Sequence, residues 1–190
     1  MYNIFTKSRS VLAAALFSIA LLFSSSAMAG PGKPGDNPFS PGGNIVEVAV
    51  AANQATGLFD TVLAAATCPY FDGAVVDILT GDDKVTLFAP TDDAFGALGL
   101  DQDNVCTLPA GDLLTILGYH VTEGRRFSNS VFNAYNVKSV DMLFGGSIET
   151  EVVGGDPLIY DNQGGTSMVI IPNLNASNGV IHVVNAVLLP

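Results

Sequence analysis

The run that closes the chain, Val180 to Leu189, constrains the fold more than any other stretch, because it is apolar on both faces of a two-residue period. In an extended chain Ile181, Val183 and Val187 point to one side, and Val180, Val184 and Leu188 point to the other. Such a strand belongs at the centre of a sheet with material packed on each side of it. The 190 residues available allow one domain, or at most two small ones. With 48% apolar and 13% charged residues, the body has enough to bury a core and is not a disordered acidic tail.

The covering layer is sought first in the N-terminal third, where the apolar residues recur at helical spacing. Asn44 supplies an N-cap for the apolar run Ile45 to Ala52. Leu58 to Ala66 places Leu58, Val62 and Ala65 on one face. Phe71 to Leu79 groups Phe71, Val75, Ile78 and Leu79 before Gly81 stops it. From Lys84 the pattern changes: Val85 to Ala89 reads as a strand running into Pro90, which holds Ala89 extended. Thr91 is then an N-cap, Asp92 and Asp93 put negative charge in the first turn, and Phe95 and Leu98 pin that short helix to the core. Pro109 suits the first turn of another helix through Leu113, Leu114 and Leu117, ended by Gly118, with Tyr119-His120-Val121 leaving as a strand. Beyond it, Ser147 to Val153, Leu158 to Tyr160 and Met168 to Ile171 read as strands. Helices first and strands afterwards predict an α+β domain rather than a doubly wound one.

The folded region is expected at 44–190, because the preceding segments have other roles. Residues 1–29 read as a secretory signal peptide: Lys7 and Arg9, an apolar stretch from Val11 to Phe23, then Ala27-Met28-Ala29 as the cleavage pattern. Residues 30–43, of which nine are Gly or Pro, read as a linker. No second hydrophobic segment long enough to span a bilayer follows, so the expected location is secreted or periplasmic, with no membrane span after cleavage. Export makes a disulfide between the only cysteines, Cys68 and Cys106, the simplest reading. Closing their loop would stabilise by roughly 4 kcal/mol. The formal charge of −11, with Arg125-Arg126 the only adjacent basic pair after the first ten residues, excludes a nucleic-acid partner at this level.

Three stretches in order carry a resemblance to the fasciclin domain family. TLFAPTDDAF (Thr86 to Phe95) resembles its first signature box, LGYHVTEGR (Leu117 to Arg125) its central Tyr-His segment, and NGVIHVVNAVLLP (Asn178 to Pro190) its closing box. The resemblance covers 44–190. It implies a wedge of about seven strands in two sheets with helices packed around it, and use as an extracellular adhesion or matrix-associated module. Thr91, Asp92, Phe95 and His182 are the structural residues of those boxes. Where adhesive members carry an Asp-Ile pair before the closing box this chain has Asn173-Leu174, Asn185 stands where an Asp is often found, and no Arg-Gly-Asp tripeptide occurs.

The resemblance marks Tyr119, His120, Asn173 and Leu174 as candidate contact residues. Against that, an extended Tyr119-His120 segment would send neighbouring side chains to opposite faces, and an aromatic with a polar tip suits a buried anchor. His182, between Val180 and Val184, reads as a core histidine with its hydrogen bonds met. No nucleophile elbow, zinc-protease motif, phosphate loop or Ser-x-x-Lys occurs, so the chain reads as non-enzymatic, with no cofactor or metal. Asp101 to Asn104 lacks the Gly and distal Glu of an EF-hand and reads as a solvated acidic loop. Two functions follow as expectations: an adhesion or interaction module binding protein or polysaccharide at a cell surface or matrix, or alternatively a soluble binder of a small ligand or polysaccharide in an apolar groove. Asn175-Ala176-Ser177 is a glycosylation sequon.

Overall fold

The computed structural model describes residues 42–190; the signal-peptide reading and nearly all of the linker lie outside the described residues. Helix α1 (Ile45–Thr56) begins in a capping box. Asn44 Oδ1 accepts from the Glu47 amide at 3.0 Å and Glu47 Oε2 accepts from the Asn44 amide at 2.8 Å. Helix α2 (Asp60–Ala66) follows, and then the expected third helix is divided. A 3-10 turn at Pro69–Phe71 ends in left-handed Asp72, and α3 (Ala74–Thr80) starts afresh before Gly81. Asp72 and Gly73, both at positive φ, break the helical path between Phe71 and Val75.

Strand β1 (Val85–Pro90) leads into α4 (Asp92–Gly96), whose N-cap Thr91 accepts from the Ala94 amide at 3.3 Å. Phe95 anchors this helix in the core, but Leu98 does not: the helix ends at Gly96 and Leu98 is 47% exposed. Helix α5 (Ala110–Gly118) and strand β2 (Val121–Glu123) come next. Between them Tyr119 keeps helical backbone angles (φ −74°, ψ −4°) as the C-cap, so Tyr119-His120 forms the helix exit and not the start of a strand. The alternation argument therefore fails there, and both side chains turn inward, at 1% and 2% exposure. Helix α6 (Ser128–Val131) and strand β3 (Lys138–Asp141) have no counterpart among the expected elements. Strands β4 (Ser147–Val153), β5 (Asp156–Tyr160), β6 (Thr166–Ala176) and β7 (Gly179–Val184) complete the chain.

The seven strands run in the order β2-β1-β7-β6-β5-β4-β3. Every pairing is antiparallel except β1 with β7, which is parallel. β6 belongs to two sheets: its first residues pair with β5 and its later ones with β7, with register shifts between Val169 and Leu174. These irregularities bend β6 from one sheet into the other. At the far ends the Leu143 amide donates to Val121 O at 2.7 Å and Thr122 Oγ1 donates to Asp141 O at 2.7 Å, bringing the exit of β3 to β2 in a barrel-like arrangement. The β4–β5 hairpin turns on Gly154 and Gly155, both at positive φ, as a tight two-residue turn between right-twisted strands requires.

Strand β7 is internal and buried on both faces, as its composition demands, but it ends at Val184: the expected strand to Leu189 is cut short at Asn185, and Val187 and Leu188 reach the two cores from the non-strand segment that follows. Ile181 and Val183 join a core with helices α1, α2, α3 and α5. Val184 and Leu188 join a second core with Phe88, Ile148, Ile159 and Val169 inside the strands. Gly179 opens β7 opposite Val85, where a Cβ would lie 2.0 Å from the Val85 carbonyl oxygen and 2.6 Å from Ile45 Cδ1. Only glycine allows β1, β7 and α1 to meet this closely. Cys68 and Cys106 are disulfide-bonded, with Cα atoms 5.6 Å apart, tying the end of α2 to the turn before α5.

Candidate functional site

The three signature boxes meet through side chains that hold distant backbone groups. His120 is buried at the end of α5 with its Nδ1 2.7 Å from Ile116 O and its Nε2 2.9 Å from the Leu188 amide. A carbonyl only accepts and an amide only donates, so Nδ1 carries the proton and Nε2 accepts: the ring is neutral. Burial pushes its pKa down to about 4, against a smaller upward pull from its bond to Ile116 and from Asp161. Asp161 Oδ2 in turn accepts from the Leu189 amide at 3.0 Å, so the C-terminal residues are held from both sides. Tyr119, beside it, donates its hydroxyl to Ser147 O at 2.7 Å.

His182 on β7 repeats the pattern with the opposite tautomer. Its Nε2 donates to Arg126 O at 2.9 Å, and its Nδ1 faces the Asn173 amide at 3.4 Å. The ring stacks on Phe88 with centroids 5.6 Å apart and meets Phe132 edge-on. Burial lowers its pKa as well. Asn173 adopts the left-handed region at φ 64° on β6 and binds Ser128 twice: Oδ1 accepts from the Ser128 amide and Nδ2 donates to its hydroxyl, both at 2.8 Å. Leu174, next to it, is 1% exposed in the first core. Of the four candidate contact residues, then, Tyr119, His120 and Leu174 are interior, and Asn173 is bound to Ser128.

One anchoring residue, Asn178, escapes sequence reasoning, and Asp92 has a second role that sequence alone does not reveal. Asn178 Oδ1 accepts from the Ile45 amide at 2.9 Å, and its Nδ2 donates to Leu79 O and Gly81 O at 2.8 and 3.1 Å. One turn residue thus fixes the start of α1 and the end of α3, whereas the local chemistry of an Asn-Gly pair points only to a turn. Asp92 stands in the first turn of α4, as its sequence position predicts. Its carboxylate also accepts from the Thr61 amide at 2.7 Å and the Asp60 amide at 3.2 Å, capping α2, whose own N-cap residue Phe59 has no side-chain oxygen. Among the described residues no buried side-chain nitrogen or oxygen lacks a partner, and no three His, Cys, Asp or Glu side chains converge on a common point. Asp101 Oδ1 accepts from the amides of Asp103 and Asn104, both at 2.9 Å, so that acidic loop holds its own turn.

Apart from these contacts, the described residues enclose a small apolar cavity and a larger, more polar cleft of about 600 Å³ beside Lys84, Glu123 and Phe144. A cavity of about 60 Å³ opens between α1, α2 and α3 above β1. Ile45 and Ala49 from α1, Val62 and Ala66 from α2, and Val75 and Leu79 from α3 wall it, Leu87 of β1 lies at its floor, and its surface is almost wholly apolar. His120 borders it, but both ring nitrogens are already engaged.

These observations can be set beside known proteins. The chain is 33% identical over 150 residues to the Synechocystis protein sll1735, covering 77% of this chain and 97% of that one. It is 35% identical to the Synechocystis protein sll1483 over 77% of this chain and 73% of the other. It is 31% identical to the pig transforming growth factor-beta-induced protein ig-h3 over 82% of this chain, but spans only 18% of that larger protein. In three dimensions it resembles a FAS1 domain pair from the insect cell adhesion molecule Fasciclin I, with a TM-score of 0.61 at 17% identity, over 78% of this chain and 51% of that one, a likeness of fold. The fasciclin domain model matches residues 60–190, from the first residue of α2 through the closing box, and the chain belongs to the fasciclin domain family.

Proposed function

We propose that this chain is an exported, non-catalytic interaction module that binds protein or polysaccharide at a cell surface or in a matrix, and that it does so through loops and edges rather than through its signature boxes. One observation carries the second half of that reading. The boxes spend their polar groups internally: Tyr119 on Ser147, His120 on Ile116 and Leu188, His182 on Arg126, and Asp92 on α2. What remains for a partner is exposed. It includes Gln102 and Asp103 in the acidic loop and the apolar residues Tyr135 (91% exposed) and Val137 (52%) before β3. The likeness of fold to a domain pair from the insect cell adhesion molecule Fasciclin I supports the first half. Pull-down of the secreted protein against intact cells and cell-envelope polysaccharides tests the reading. Tyr135→Ser and Asp103→Ala should reduce capture at an unchanged melting temperature, whereas Tyr119→Ala and His120→Ala should reduce it only as they unfold. A well-folded His120 or Tyr119 variant that selectively loses capture would make the central segment the contact site.

A second reading, binding of a small apolar ligand, is supported by the cavity among α1, α2 and α3. Its depth and apolar lining are what a flat adhesive patch lacks.

A further inference from the structure

We infer that the cavity between α1, α2 and α3 takes the end of a neutral aliphatic chain, such as that of a long-chain alcohol or an isoprenoid. This rests on the small-ligand reading and is independent of the adhesive one. Three observations define the ligand. The first is volume: about 60 Å³ is less than half the roughly 150 Å³ of an apolar cavity that holds benzene, so a methyl-terminated chain fits where a ring does not. The second is the lining. One half-buried aliphatic side chain from each helix, Val46, Leu63 and Val76, borders the cavity outside the fully buried walls. Such a path suits an extended hydrocarbon that enters from solvent with its head left outside. The hydroxyl of Thr67, also in the lining, is already donated to Leu63 O at 2.8 Å and gives no strong purchase to a head group.

The third observation is charge. Between Gly42 and Asp83 the sequence contains no Lys, Arg or His, yet it contains Glu47, Asp60, Asp72, Asp77, Asp82 and Asp83. Helices α1, α2 and α3 carry one carboxylate each and no cation. A ligand carboxylate or phosphate at the mouth would find no cation on these helices and would sit among like charges. Burial of an aliphatic chain against this lining is favourable in proportion to the apolar area covered; the head group must be uncharged for that gain to be kept.

The test uses the secreted protein with its disulfide intact and three probes, 1-octanol, octanoate and benzene, at neutral pH. Binding is read by methyl NMR shifts of Val62, Val75 and Leu87 and by the melting temperature. 1-Octanol should shift these methyls saturably, with at least about tenfold higher affinity than octanoate or benzene, equivalent to roughly 1.4 kcal/mol. Ala49→Val, which adds two carbons inside the cavity, should abolish that shift. Val46→Gln, at a half-buried position that threatens the fold less, should weaken binding several-fold and carries the test if Ala49→Val does not fold. If octanoate or benzene binds as well as octanol, the neutral-chain assignment is overturned while the small-ligand reading survives. If no probe gives a saturable shift, or if octanol binds folded Ala49→Val and Val46→Gln as it binds the parent, both fall for this cavity.

Discussion

The neutrality of His120 has a consequence for stability that can be worked out and measured. Its pKa is about 4 in the folded protein, because the ring is buried and its Nε2 must accept from Leu188; in the unfolded chain it returns to about 6.5. Between those values the unfolded state binds the proton and the folded state does not, so stability rises with pH. The contribution is fully present above about pH 6.5 and is lost as the pH falls towards 4, by roughly 3 kcal/mol at about 1.4 kcal/mol per unit. His182, whose pKa is also lowered by burial, adds in the same direction. Urea unfolding from pH 7 down to pH 4, on the parent and on His120→Gln, isolates the effect: carboxylate titrations common to both cancel in the difference. Gln is expected to be less stable at pH 7 for want of a good imidazole replacement, but the gap should narrow by about 3 kcal/mol on acidification. Parallel pH profiles, or a His120 ring resonance that titrates near 6.5 in the native state, would refute the neutral, buried assignment.

Other consequences follow from single contacts. Asp92→Ala removes the acceptor for two α2 amides across 31 and 32 residues and should cost about 1–2 kcal/mol in urea unfolding; a loss of only a few tenths would show that water caps α2 equally well. Replacing Cys68 and Cys106 together by Ser releases a 38-residue separation and should cost roughly 4 kcal/mol, read as a drop in the denaturation midpoint under oxidising conditions. Gly179→Ala drives a methyl group into the Val85 carbonyl and should destabilise by more than about 3 kcal/mol or prevent folding, measured by circular dichroism and thermal melting. Mass spectrometry of exported protein should find the N-terminus at or near Gly30, and soluble material beginning at Met1 would remove the signal-peptide reading.

What the sequence determined by itself was whatever repeats at short range. The two-faced apolar period of Val180 to Val184 placed β7 inside the sheet, and burial of all six β7 residues is its physical expression. Asn44 with Glu47, and Thr91 three residues before Ala94, specified their helix starts because a cap and its amide are separated by a fixed few residues. The boxes identified the family for a similar reason: their residues stand in a fixed order along the chain.

Tertiary structure decided everything that depends on a partner far along the chain. Tyr119 and His120 looked like the start of a strand by composition, but the bond from Tyr119 to Ser147 and the bond from Leu188 to His120, 68 residues away, favour a helical exit that turns both inward. Asp92 carried the same local signal whether or not it also capped another helix; only the approach of α2 gave it that second role. Leu98 had the right spacing for the core, yet α4 stops at Gly96 before a second turn can bring it there. Strand β3 was missed because half of its short sequence is charged, and its place comes from pairing with β4 at the edge of the sheet. The cavity belongs to this class as well: three helices with ordinary apolar faces give no sign, one by one, that their side chains will leave about 60 Å³ unfilled, because a void is a property of how surfaces meet.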